Sequence, residues 1–143
     1  MFYPPINTAI NVFFALITGD VVIAMKLFTF VTFLLSGIFM YQFVDTISKN
    51  KLAALFSSIF YMIAPYRMLN TYVRLAVGEM TGFIFIPLIF RGIYYIFEEK
   101  KEKSYLYVFG TIGLLLSHNI TTMLTFLLGL AYLIMNICKL KDK

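Results

Sequence analysis

Between Val21 and Val44 the chain runs for 24 residues with one charged side chain, Lys26. As an α-helix that stretch is about 36 Å long, enough to cross about 30 Å of hydrocarbon with some tilt. A chain of 143 residues has too small a core to hide such a run beside several others like it. Its 61% hydrophobic content, against the 45–50% or so of soluble domains, points the same way. The expected fold is all-α: a polytopic transmembrane helix bundle with about five spans.

The remaining apolar runs set the order. Residues 1–19 start on Phe2-Tyr3-Pro4-Pro5 and end at Gly19. Two prolines can open a helix but not continue one. The apolar part, Ile6 to Thr18, would reach roughly 20 Å, too short to span, so 1–19 reads as an interfacial or re-entrant segment. Residues 20–143 then form the bundle as one domain, with Asp20 as the N-cap of the first span. Lys26, within that span's first two turns, is placed to snorkel to the interface. The further spans run from Leu52 to about Ala64, stopped by Pro65; from Met80 to Phe97, kinked at Pro87; from Ser104 to Leu116; and from Ile120 to Cys138. Residues 1–19 carry no basic leader region and no small-residue cleavage site, so they do not read as a signal peptide.

The net charge of +5 is distributed as a topology signal and not as a nucleic-acid surface. With five spans, eight of the twelve basic residues fall on one side: Lys49, Lys51, Lys100, Lys101, Lys103, Lys139, Lys141 and Lys143. That side is expected to be cytoplasmic, with the N-terminus outside and the C-terminus inside a cell membrane. The N-terminal segment, residues 65–79 and His118-Asn119 then share the outer face. The lone Cys138 forms no internal disulfide, and one His without a second His or Cys does not make a zinc site. No cofactor is implied.

The polar residues on that face are candidates for binding an anion. Arg67 and Arg74 are seven positions apart and fall about 20° from alignment on a regular helix. Tyr72 and Glu79 share a different face by the same spacing. Arg74 and Glu79, five apart, are poorly placed for an ion pair. Two unneutralised guanidinium groups suit a phosphate or diphosphate headgroup, with Tyr66 and Tyr72 as hydroxyl donors or as walls for a lipid tail. The plainer readings stay open: interface anchors for the arginines and tyrosines, a helix-start acid for Glu79, a hairpin end for His118 and Asn119. Gly78-x-x-x-Gly82 fits a weak helix-packing pattern. No nucleophile triad, phosphate loop or paired-carboxylate motif is present, so no catalytic residue is assigned.

The order Phe2-Tyr3-Pro4-Pro5, Ala64-Pro65-Tyr66-Arg67, Tyr72-Val73-Arg74, Glu79, Pro87-Leu88 and Ser117-His118-Asn119 resembles the bacterial 6-pyruvoyl-tetrahydropterin synthase-related membrane domain family. That family is similar in turn to C-type glycosyltransferases, which take sugars from polyprenyl-phosphate donors at the outer face. The resemblance implies Arg67 and Arg74 as donor-phosphate contacts and Tyr3-Pro4-Pro5 as the end of a first external loop. Pterin chemistry, which needs three zinc-binding histidines, is not expected from a chain with one. Family members begin with a further span and an acidic loop, so the chain is expected to be a piece of a larger protein. The expected partners are membrane lipids and a polyprenyl-phosphate sugar donor. The alternatives are a lipid-binding, transport or envelope-assembly subunit without enzymatic activity, and an inactive truncated remnant.

Overall fold

The computed structural model describes residues 5–98 and 101–136. Phe2-Tyr3-Pro4, Glu99-Lys100 and the tail from Ile137, with Cys138 and three of its lysines, lie outside the described residues. All regular structure among the described residues is helical.

Helix α1 spans Pro5–Thr18, with its proline in the first turn. Gly19, at φ 67°, reverses the chain. Asp20 then caps α2, Val21–Ser48: its Oδ1 accepts the amides of Val22 at 2.6 Å and Ile23 at 3.3 Å. The helix runs one turn beyond the predicted Val44, through Asp45, Thr46, Ile47 and Ser48. Lys49, in the left-handed region at φ 52°, closes it with an amide bond to the Asp45 carbonyl. Asn50 immediately caps α3, Lys51–Met62, so the basic turn is as tight as the sequence suggested.

Pro65 does not end the second long apolar run. It occupies the first position of a short helix α4, Pro65–Met68, where its missing N–H costs nothing. A π-helical turn follows at Leu69–Val73. The whole run Lys51–Val73 is 23 residues, long and apolar enough to cross a membrane. Helices α2 and α5, Val77–Phe97, meet the same criterion, giving three such runs among the described residues. The last two helices are shorter than predicted: α6, Tyr105–Leu115, has 11 residues and α7, Asn119–Met135, has 17. At about 17 and 26 Å they fall below the hydrocarbon thickness.

Helix α5 is the centre of the bundle. Phe43 meets Phe90, and Arg91 bonds Gln42 and Thr46, while Phe33 and Phe83 flank one side chain further up. The numbers rise together, so α2 and α5 run parallel. Against α6 they oppose: Gly92 lies on Tyr107, Gly110 on Ile89, Gly113 on Phe85 and Gly78 on Ser117. Small residues at these four sites let the two backbones approach closely. The Gly78-x-x-x-Gly82 pair takes part, Gly78 against Ser117 and His118, Gly82 against Leu114 and Thr121. The buried cluster Ile84, Phe85, Leu88, Ile89, Ile93 and Leu114 forms along this seam. Side chains such as Leu124, Leu127 and Leu128 on α7 remain exposed, as a lipid-facing surface requires.

Pro87 sits inside α5. Having no N–H, it leaves the carbonyl of Phe83, four residues earlier, without its helical donor. The Tyr61 hydroxyl supplies one at 2.9 Å and ties α3 to α5.

Candidate functional site

The polar residues gather where α4, the π-turn and the start of α5 meet. A π-turn inserts an extra residue into the helical ladder. Its exit is tight: the Ala76 amide bonds the Asn70 carbonyl at 2.8 Å, and Leu75 takes φ 48°, costly for a side chain with a Cβ. This turn changes the geometry expected of a straight helix.

Arg67 and Arg74 do not form one arginine face. Arg67 is 1% exposed, with its guanidinium carbon 4.2 Å from the Phe33 ring centroid, 5.1 Å from Phe83 and 5.9 Å from Tyr61. Its Nη2 donates to the Thr32 carbonyl at 3.0 Å, while Nε and Nη1 have no partner among the described residues. Arg74, by contrast, has a side chain 51% exposed. The chain reversal at Leu75 and Ala76 brings it back to Glu79, five residues on, with Nη1 3.5 Å from Oε1. The ion pair that helical spacing argued against therefore forms, because Leu75 and Ala76 between them are not helical.

Glu79 organises the junction. Its Oε2 accepts the Tyr66 hydroxyl at 2.7 Å and the Asn70 side-chain amide, and the Asn70 Oδ1 accepts Arg74 Nη1 at 2.9 Å. Both carboxylate oxygens are engaged, so the group is a structural hub and not a free base. Asn70, fully buried, was missed by sequence reasoning. Its position inside a polar-studded stretch at Pro65–Glu79 was the available signal. Tyr61 and Phe33, which enclose Arg67, carry no signal at all without the fold.

Tyr72 is 73% exposed, and its hydroxyl joins no hydrogen bond among the described residues. His118 caps α7: its Nδ1 accepts the Thr121 amide at 3.3 Å and lies 2.8 Å from the Thr121 hydroxyl. Asn119 is exposed in the first turn of α7. The N-terminal segment does reach this end. Asn7 on α1 donates to the Ser117 carbonyl at 2.8 Å, and Gly78 packs on both. Among the described residues, however, no hydrogen bond links His118 or Asn119 to the Glu79 hub. The site thus divides into a hub of Tyr66, Asn70, Arg74 and Glu79, a buried Arg67, an outlying Tyr72, and a hairpin end at Ser117–Asn119.

At the opposite end a second arginine network was also missed. Arg91 donates to Thr46 Oγ1 at 3.1 Å, to Gln42 and to the Tyr95 hydroxyl at 3.4 Å. All three of its nitrogens have partners, unlike those of Arg67.

An uncharacterized protein of Lactococcus lactis subsp. cremoris (strain MG1363) is 28% identical to this chain over 143 residues. The alignment covers 96% of this chain and 23% of that protein, so the chain spans about a quarter of the relative's length. No family model matches the chain, and no solved structure matches it.

Proposed function

We propose that the chain is a membrane-embedded domain of a larger polytopic protein that binds the phosphate of a lipid-linked substrate at its polar end. The observation that carries this is the state of Arg74. Its Nη1 is held by Asn70 and Glu79, which fixes the side chain, while Nε and Nη2 of this half-exposed side chain have no partner among the described residues. A guanidinium fixed at one nitrogen and open at the others is pre-oriented for a phosphate oxygen. Arg67, buried behind Phe33, is not a direct contact in this reading. The sequence resemblance supports a polyprenyl-phosphate-linked sugar as the substrate and glycosyl transfer as the reaction.

The α6–α7 hairpin follows α5 from Tyr107 beside Gly92 to Ser117 beside Gly78, about 21 Å along the axis. In this reading the hairpin enters the membrane alongside α5 as two further, short crossings, five in all. The lysine distribution supports a plasma-membrane orientation with the Arg74 end outside.

Binding of a polyprenyl-phosphate analogue to the chain in phosphatidylcholine nanodiscs tests the reading. Replacing Arg74 with Gln removes a charge-assisted contact, and affinity is expected to fall about tenfold or more. Unchanged affinity would defeat it. Glu79 favours a second reading, a lipid-binding or assembly subunit without turnover, because its carboxylate already holds three partners. Binding without sugar release by the full-length protein would select that reading.

A further inference from the structure

A groove of about 570 Å³ separates the first turns of α2 from the π-turn and Leu75. Its walls include Lys26, Thr29, Phe30 and Phe33 on one side and Tyr72 and Leu75 on the other. The lining is apolar except for one cation and a few hydroxyls. Lys26 has no ion-pair partner among the described residues, and the Tyr72 hydroxyl has no hydrogen-bond partner there. Thr29 and Thr71 already donate to the carbonyls of Met25 and Arg67.

Phe33 connects this groove to the buried arginine. It lines the groove, and the Arg67 guanidinium sits 4.2 Å from its ring centroid. Arg67 has no carboxylate within ion-pair distance among the described residues. Lys26 in the groove wall and Arg67 behind Phe33 are therefore both without an ion-pair partner among the described residues. In a low-dielectric surround such charges act at longer range than in water, and the groove is a favourable place for an anion. Phe30, Tyr72 and Leu75 at its rim are apolar or aromatic and more than half exposed. An anion that also brings a hydrocarbon chain satisfies both features.

We infer that this groove seats the phosphate of an anionic lipid, with Lys26 and Tyr72 donating to its oxygens and the chain lying over Phe30. Arg67 supports the anion through the field it projects past Phe33 and does not touch it. The inference rests on the lipid-phosphate reading above and adds the groove as the headgroup's seat, with Lys26 as a cation contact additional to Arg74, which adjoins Leu75 in the groove wall.

The test uses the full chain in phosphatidylcholine nanodiscs doped with a photoreactive short-chain polyprenyl phosphate. Labelling is expected within 22–33 and 71–75. Lys26→Gln should lower it about tenfold, Lys26→Arg should restore much of it, and Arg67→Met should lower it by a smaller factor. Lys26 is exposed, so these variants should melt like the parent. Labelling kept in Lys26→Gln but lost in Arg74→Gln overturns the groove and leaves the broader reading standing. Labelling kept in both overturns both. Displacement of the lipid by inorganic phosphate alone would overturn the assignment to a lipid.

Discussion

The Arg67 guanidinium lies 4.2 Å from the centre of the Phe33 ring and bonds one backbone carbonyl, that of Thr32. Arginine stacks on aromatic faces more readily than lysine does, and here three rings replace a counter-ion. Two nitrogens have no partner among the described residues, each costing about 1–3 kcal/mol when buried. Replacing Arg67 with Met removes both the stacking and those costs, so apparent Tm in detergent should stay close to the parent's. Arg67→Lys should melt lower, losing the planar stack but keeping the charge. Arg67→Glu should fail to fold. A collapse of Arg67→Met to the level of Arg67→Glu would mean that the cation is held by an anion.

The Glu79 hub makes a different claim. The Arg74 side chain is half exposed, so its ion pair with Glu79 should be worth no more than about 1 kcal/mol. The Tyr66 hydroxyl at 2.7 Å from the same carboxylate is a charge-assisted bond in a more buried place, worth about 1.5–3 kcal/mol. Double-mutant cycles in detergent melts should rank the Tyr66→Phe/Glu79→Gln coupling above the Arg74→Gln/Glu79→Gln coupling. The reverse order would place the electrostatic weight on Arg74.

At the α5–α6 seam, a Cβ on Gly92 would collide with the Tyr107 backbone, which cannot swing aside as a side chain can. On Gly129 a Cβ would meet the Ile93 side chain at 3.6 Å, an ordinary contact. Gly92→Ala should therefore lower apparent Tm strongly, a cost of about 1–3 kcal/mol. Gly129→Ala, within a helix, should be neutral or slightly stabilising. Equal effects would mean that α6 does not approach α5 this closely.

Orientation is testable with single cysteines in a Cys138→Ser background. A membrane-impermeant maleimide applied to intact cells should label Leu75→Cys beside the hub and spare Asn50→Cys in the basic turn. The opposite pattern would put the Arg74 end in the cytosol.

The apolar runs made the helical class legible, since runs of this length have few other solutions. The capping residue Asp20 located the start of α2 to the residue. The path from Pro65 to Glu79 was not legible, because seven-residue spacing carries a facing relationship only through an unbroken α-helix. One π-turn and one left-handed leucine separated Arg67 from Arg74 and joined Arg74 to Glu79. Neither leaves a sequence mark: Leu75 is an unremarkable residue for a helix and an unusual one for φ 48°. The pairing of Tyr61 with α5 was equally hidden, since Pro87 marked a kink but not the residue that would meet the Phe83 carbonyl.

That last relationship gives a prediction with its own control. If the Tyr61 hydroxyl is bonded to the Phe83 carbonyl because Pro87 cannot be, the two residues are energetically coupled. Tyr61→Phe alone should destabilise by about 1 kcal/mol or more, since a carbonyl in an apolar setting loses its donor. Pro87→Ala restores an amide at the helical position, so the same Tyr61→Phe change made in that background should cost little. The measurement is a double-mutant cycle on apparent Tm in one detergent. Additive losses would show that the Tyr61 bond is incidental to the proline, and that α3 is held to α5 by ring packing of Tyr61 on Phe83 alone.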